Sequence, residues 1–158
     1  GAEMVSAAHF EVLNQIHARL HATDVTWVLT GSLSLALQGV ETAVHDVDVQ
    51  TDVAGAHEVQ RLFADYVIRP VALTEDEVVR SHLGALQIDG VEVEVIGDIQ
   101  TRVPGGPWEP PPDLTRLAKT VDAGGTQVPV LPLEYERGAY LKMGRPEKAD
   151  LIAEALRS

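Results

Sequence analysis

Apolar positions first recur at helical spacing. Leu13, Ile16, His17 and Leu20 fall on one stripe, extended by Phe10, and predict a helix over residues 5–22. Trp27-Val28-Leu29-Thr30 is a β-favouring run. Gly31-Ser32 breaks it, Leu33-Ser34-Leu35-Ala36-Leu37 can turn as a short helix, and Gly39 is placed to stop that helix. From Val44 to Val49 the pattern alternates strictly. A strand there sends Asp46 and Asp48 to one face and Val47 and Val49 to the other. Asp52 can cap the next helix, 53–64, which would pack through Val59, Leu62 and Phe63. Residues 66–73 read as a strand whose Pro70 points to a sheet edge or a bend.

The second half of the chain is less regular. Thr74-Glu75-Asp76-Glu77 has the form of a capping box and predicts a short helix through Val79 or Arg80. Residues 84–88 and 91–95 alternate on either side of Asp89-Gly90, a strong hairpin signal. Residues 101–113 hold Pro104, Gly105, Gly106, Pro107, Pro110, Pro111 and Pro112, and so form a loop. Asp113 can cap a helix over 114–121, Gly124-Gly125 makes a turn, and 126–131 is extended. Pro132 suits the start of a helix with Leu133, Arg137, Tyr140 and Leu141 on one face. Gly144-Arg145-Pro146 interrupts before a final helix, 147–156, with Ala149, Ile152, Ala153 and Leu156 inward.

Composition narrows the function classes. The chain has 158 residues, enough for one domain with a real core, and 45% of them are hydrophobic, which excludes a disordered chain. Within that one domain, 1–100 would form the catalytic core, 101–131 a connector and strand, and 132–158 the C-terminal helices. Cysteine is absent, which excludes disulfides and thiolate metal sites and fits a cytoplasmic protein. No apolar run reaches the roughly 18 residues that span a membrane, so no membrane partner is expected. Acidic residues number 24 against 12 basic ones, for a net charge of −12. A long nucleic acid would need a basic surface and is not expected. A mononucleotide remains compatible, because a cation can bridge carboxylate to phosphate.

The chemistry concentrates between residues 31 and 48. Asp46 and Asp48 start about 6.6 Å apart along a strand and can converge on one divalent cation. Magnesium takes one or two carboxylates together with substrate phosphates. Gly31-Ser32 at a helix start offers free N–H groups, a hydroxyl and room for a phosphate. His9, His17 and His21 share helical spacing but lack acidic partners in sequence, so they read as surface and boundary residues. Trp108 could stack on a base or anchor its loop. Arg80 and His82 read as surface residues.

Gly31-Ser32, thirteen residues and then Asp46-Val47-Asp48 resembles the signature of the polymerase-β-like nucleotidyltransferases. Residues 140–146, Tyr-Leu-Lys-Met-Gly-Arg-Pro, resemble the C-terminal part of small bacterial members of the abortive-infection, antitoxin and antibiotic-resistance kinds. The resemblance implies an α+β fold with a mixed, mainly antiparallel central sheet flanked by helices. It implies a third carboxylate on a later strand. Glu94 is the candidate, Glu92 on the same strand face competes with it, and either departs from the aspartate common in the family. It further implies that Lys142 reaches the nucleotide phosphates, with Arg145 and Lys148 as weaker matches. The lysine-aspartate pair often found after the proline is replaced by Glu147-Lys148-Ala149-Asp150.

The activity so implied is transfer of a nucleoside monophosphate from a nucleoside triphosphate, with ATP as the expected donor, to a hydroxyl. Asp46 and Asp48 would hold magnesium, two ions in all. Glu94 would complete the second metal site or take the acceptor proton. Gly31, Ser32 and Lys142 would hold the phosphates. The acceptor would be a small molecule such as an aminoglycoside or lincosamide, or a protein hydroxyl, on a toxin for example. A catalytically degenerate relative that only binds a partner is the alternative. A glycosyltransferase using Asp46 and Asp48 would leave Gly31-Ser32 without a role.

Overall fold

The computed structural model describes residues 5–158. Ser6 accepts from the His9 N–H and caps α1 (Ala7–Leu20), whose buried residues are Val12, Leu13, Ile16 and Leu20. Two short elements follow, β1 (Trp27–Thr30) and α2 (Gly31–Leu37), then β2 (Val47–Thr51). Asp52 caps α3 (Val53–Leu62) by accepting from the Gly55 N–H at 2.6 Å. After a 3-10 turn come β3 (Val67–Glu75), β4 (Val79–Ile88) and β5 (Val91–Thr101). The proline-rich loop leads into α4 (Leu114–Leu117), β6 (Lys119–Ala123), β7 (Thr126–Val130), α5 (Leu133–Lys142) and α6 (Pro146–Leu156).

The strands form one sheet in the order β3-β4-β5-β2-β1-β7-β6. Pairing is parallel at β2–β5 and β1–β7 and antiparallel elsewhere. The architecture is therefore α+β with a mainly antiparallel sheet, as the resemblance implied.

Strand alternation divides the sheet into two faces. Leu29, Val47, Val49, Val93 and Val95 point into the main core against α1 and α3, together with Phe63. Each fully buried side chain of this kind contributes about 1.5–3 kcal/mol. The alternate positions, Val28 and Thr30, Asp48 and Gln50, Glu94 and Ile96, point the other way. There Val28 packs with Leu114 and Leu131, and α5 and α6 lie alongside. This second face holds the site.

Several elements differ from the sequence-based expectation. No helix forms at 74–80: β3 runs on to Glu75 and β4 starts at Val79. The Asp76 carboxylate accepts from the Val78 and Val79 N–H groups at 2.9 and 2.8 Å. Side-chain capping that can start a helix here closes a hairpin turn instead, because both flanks are already paired in the sheet. The helix expected over 114–121 ends after one turn, and β-branched Thr120 and Val121 join β6. Gly124 and Gly125, both with positive φ, close the β6–β7 hairpin. On α5 the buried residues are Leu133 and Glu136, while Leu141 is half exposed. Pro70 does lie on the edge strand, within the register shift between Arg69 and Ala72.

Candidate active site

Register builds the centre of the site. Thr30 pairs with Asp48 across β1–β2, and Asp48 pairs with Glu94 across β2–β5. Register partners share a face, so the three side chains form a row across the sheet. Asp46 sits just before β2 rather than inside a strand, and Glu92 lies two residues before Glu94 on β5. Carboxylate oxygens of Asp46, Glu92 and Glu94 come within 4.8 Å of one another.

The electrostatics of this group are unfavourable without a counter-ion. Burial pushes the Asp48 carboxyl up to about 7, helped by the charges of Glu94, Asp46, Glu136 and Glu92. Glu94 is raised by burial and then by Asp46 and Glu92, with Arg69 acting against them. Arg69 reaches Glu92 at 3.4 Å. Asp48 Oδ1 is buried without a hydrogen-bond partner. Crowded oxygen ligands, one of them orphaned, are the donor set a hard divalent cation takes, so the residues fit such an ion.

Gly31 has its own steric reason. It adopts φ +74°, and a Cβ there would lie 2.0 Å from Asp48 Oδ2. Only glycine permits that approach. Ser32 is buried, and its Oγ accepts from the His45 N–H at 3.1 Å, pinning the chain one residue before Asp46.

Beside the carboxylates lies a cavity of about 560 Å³. Gly31, Asp48, Gln50 and Glu94 line its sheet side, while Glu109 and Pro110 of the proline-rich loop, with Tyr135, Glu136 and Lys142 of α5, face them. That volume is typical of a small-molecule site. Of the predicted residues, the cavity brings together Gly31, Asp48, Glu94 and Lys142. Asp46, Glu92 and Ser32 do not line it, although the Asp46 and Glu92 carboxylates meet that of Glu94. Lys142 is exposed and bonded to Glu109 at 3.0 Å. Arg145 lines the cavity and bonds to Glu147, whereas Lys148 turns away toward Thr42.

A sequence profile of the aminoglycoside-2''-adenylyltransferase family matches residues 12–155. The chain belongs to that family. It is 46% identical to an inferred nucleotidyltransferase from Thermotoga maritima, with a TM-score of 0.85 over 97% of this chain and 95% of that one. Two further structures share the fold. The antibiotic-resistance factor ANT(2'')-Ia has 12% identity and a TM-score of 0.64, over 96% of this chain and 86% of that one. The lincosamide adenylyltransferase LnuA has 13% identity and a TM-score of 0.55, over 94% and 97%. No match was found among curated proteins. The enzyme class is thus nucleotidyltransferase.

One residue of this nucleotidyltransferase stands out beyond those the sequence marked. Glu136 is only 3% exposed. Its Oε1 accepts from the Thr30 hydroxyl at 2.5 Å, while its Oε2 is buried without a hydrogen-bond partner. Burial pushes its carboxyl up to about 7, against the pull of the Thr30 hydroxyl and the nearby Gly31 N–H. The available signal was an acid three residues after Leu133 and four before Tyr140, on the buried stripe of a helix. Trp108 lies between two guanidinium groups, Arg80 at 4.7 Å and Arg102 at 4.2 Å from its ring centre. That contact anchors the loop, and Trp108 is not among the cavity-lining residues. The histidines stay out of the acidic cluster. His17 and His21 stack on each other, and His9 bonds to the His45 carbonyl at 2.8 Å. Among the described residues, no helix is long and apolar enough to cross a membrane.

Proposed function

We propose that the protein is a magnesium-dependent nucleotidyltransferase that moves a nucleoside monophosphate, adenylate from ATP, to a hydroxyl of a small polycationic molecule of the aminoglycoside kind. The observation that carries this reading is the row Asp48–Glu94 on adjacent parallel strands, with Asp46 and Glu92 beside it, opening on one cavity. Asp46, Asp48 and Glu94 would hold magnesium. When bound, the cation lowers the charge cost at the triphosphate and favours departure of pyrophosphate.

The chain's own groups supply the rest. Lys142 and Arg145 stand at the cavity and offset phosphate charge. The apolar side chains of Ile96, Leu131, Tyr135 and Met143 suit a nucleobase. The acceptor oxygen attacks the α-phosphorus, the bond to the bridging oxygen of the β-phosphate breaks, and pyrophosphate leaves. Glu94, half-buried with its carboxyl raised, would complete the second metal site or take the acceptor proton. Orientation and electrostatics would supply most of the acceleration.

The charge of the cavity supports the choice of acceptor. Asp48, Glu94, Glu109 and Glu134 line it against Lys142 and Arg145. An excess of carboxylates favours a polyamine-like acceptor over a neutral or singly charged one. LnuA is described in a lincomycin-bound form, and ANT(2'')-Ia in complex with adenylyl-2''-tobramycin. The direct test is incubation with each α-labelled nucleoside triphosphate, with and without magnesium, against aminoglycosides and lincosamides. Labelled aminoglycoside formed from ATP only with magnesium is the expected result. Label on a lincosamide alone, or on no acceptor with any triphosphate, would overturn this assignment.

A further inference from the structure

We propose that Glu136 is a positioning residue for nucleotidyl transfer, acting from α5 through the Thr30–Gly31 turn to seat the Asp48 carboxylate. The proposal rests on the reading of Asp48 as a metal-holding group. A nearly fully buried glutamate needs a reason, since an apolar residue of similar size would fill the same space without desolvating a charge. The contacts provide one. The Thr30 hydroxyl donates to Oε1 at 2.5 Å, a short charge-assisted bond. The Gly31 N–H favours the charged form of the same carboxylate, whose Oε2 is otherwise buried without a hydrogen-bond partner. These two donors come from consecutive residues at the point where β1 passes into α2.

That junction bears directly on Asp48. Thr30 is its register partner across the sheet. Gly31 takes φ +74°, and Asp48 Oδ2 occupies the space a Cβ would need. The turn therefore walls one side of the Asp48 carboxylate, while Oδ1 has no protein partner to hold it. Without Glu136, the turn loses the Thr30 bond and the carboxylate that the Gly31 N–H favours, and Asp48 gains freedom to leave the row with Glu94. Glu136 and Thr30 are 106 residues apart, so this brace exists only in the folded chain.

Variants of the full chain test it. The first readout is the stabilisation by magnesium or manganese alone, followed by thermal melting, since a ligand of the folded state raises the melting temperature. The second is the metal concentration giving half-maximal turnover at saturating triphosphate. Residues that orient metal-holding groups typically change metal affinity by about 10–100-fold. Glu136→Ala is expected to raise the half-saturating metal concentration by about tenfold, with little change in KM for the acceptor. Thr30→Val should act in the same direction by about threefold, and should add nothing further to Glu136→Ala, because both cut one brace. Glu136→Gln keeps an acceptor at Oε1 and should recover most of the metal response.

Should Glu136→Ala fail to fold, Thr30→Val and Glu136→Gln carry the same test. Variants that melt earlier yet respond to metal as the wild type does would overturn the proposal and leave Glu136 a packing residue. Additive effects of Thr30→Val and Glu136→Ala would overturn it as well. Asp48→Ala serves as the reference. If that variant keeps the wild-type metal response, the reading of Asp48 itself fails, an outcome distinct from failure of the Glu136 brace.

Discussion

The two walls of the cavity are held in place by different means. On the sheet side, Asp48 and Glu94 stand where backbone ladders put them, with Asp48 in register between Thr30 and Glu94. On the opposite side, Lys142 is held by an exposed ion pair with Glu109 at 3.0 Å, and the proline-rich loop by a backbone bond from the Glu109 N–H to the Thr101 carbonyl, a few side-chain bonds and a tryptophan between two arginines. A ladder fixes a carboxylate to within a bond rotation. A lysine on a helix end can swing over several ångströms at little cost. The difference matches the tasks proposed for each wall. The acids must hold fixed positions relative to one another, whereas groups that meet an incoming phosphate can adjust.

Breaking the rigid wall should have the largest effect. Asp48→Ala is expected to reduce transfer by on the order of a thousandfold or more, as for loss of a centrally placed electrostatic group. Near-normal turnover would remove Asp48 from the mechanism. Asp48→Asn also separates catalysis from stability. The Asp48 carboxyl is raised from 3.8 to about 7 in the folded protein. The folded state therefore holds a proton that the unfolded state has lost between those values, and metal-free stability falls as pH rises through that window. The asparagine variant should melt near the wild type at pH 4 and later than it above pH 7. The gap should narrow when magnesium is added. Equal melting temperatures at all pH values would show that the carboxylate is not strained in the free protein.

Gly31→Ala tests the junction between the walls and should come next. A methyl group would have to displace the Asp48 carboxylate, in a backbone conformation that costs an L-residue on the order of 1 kcal/mol by itself. Activity should fall by at least about tenfold, together with the melting temperature. Loss of thermal stability with full activity would show that Asp48 tolerates a changed turn.

Changes on the adjustable wall should be smaller. Lys142→Ala should raise KM for the triphosphate by about tenfold and leave kcat within a few-fold, the pattern of lost uniform binding. Its effect on stability should stay below about 1 kcal/mol, because the pair with Glu109 is exposed. Steady-state kinetics and a denaturant melt check both. A fall in kcat with unchanged KM would place Lys142 at the transition state and weaken the contrast between the walls. Trp108→Ala should have the smallest effect on activity, a modest rise in KM as the loop loosens, with about 1 kcal/mol of stability lost from two partly exposed cation–π contacts.

Much of the rigid wall was legible in the chain. The alternation around Asp48 and around Glu94 determined which way each side chain faces, because the strand period of two leaves no other choice once the valines are buried. Asp89-Gly90 announced the β4–β5 hairpin, and Asp52 and Asp113 announced the helix starts they cap. Local signals failed where one local pattern serves two structures. Asp76 satisfies backbone N–H groups equally well in a turn or at a helix start, and strand pairing on both sides chose the turn. The same competition shortened α4, since residues 119–123 gain a full ladder with β7.

By itself, then, the sequence determined the fold class and the facing of Asp48 and Glu94. Tertiary structure decided which carboxylates meet. The parallel pairing of β2 with β5 sets Glu94 beside Asp48, and the break before β2 turns Asp46 toward Glu92 and Glu94 instead. It also decided the role of Glu136, an acid on a short helix until α5 packs over the β1–α2 junction. Periodicity is a property of neighbours along the chain, where steric rules act. Contacts between residues 46 or 106 positions apart, such as Asp48 with Glu94 and Thr30 with Glu136, depend on how whole elements pack, and no local pattern encodes that.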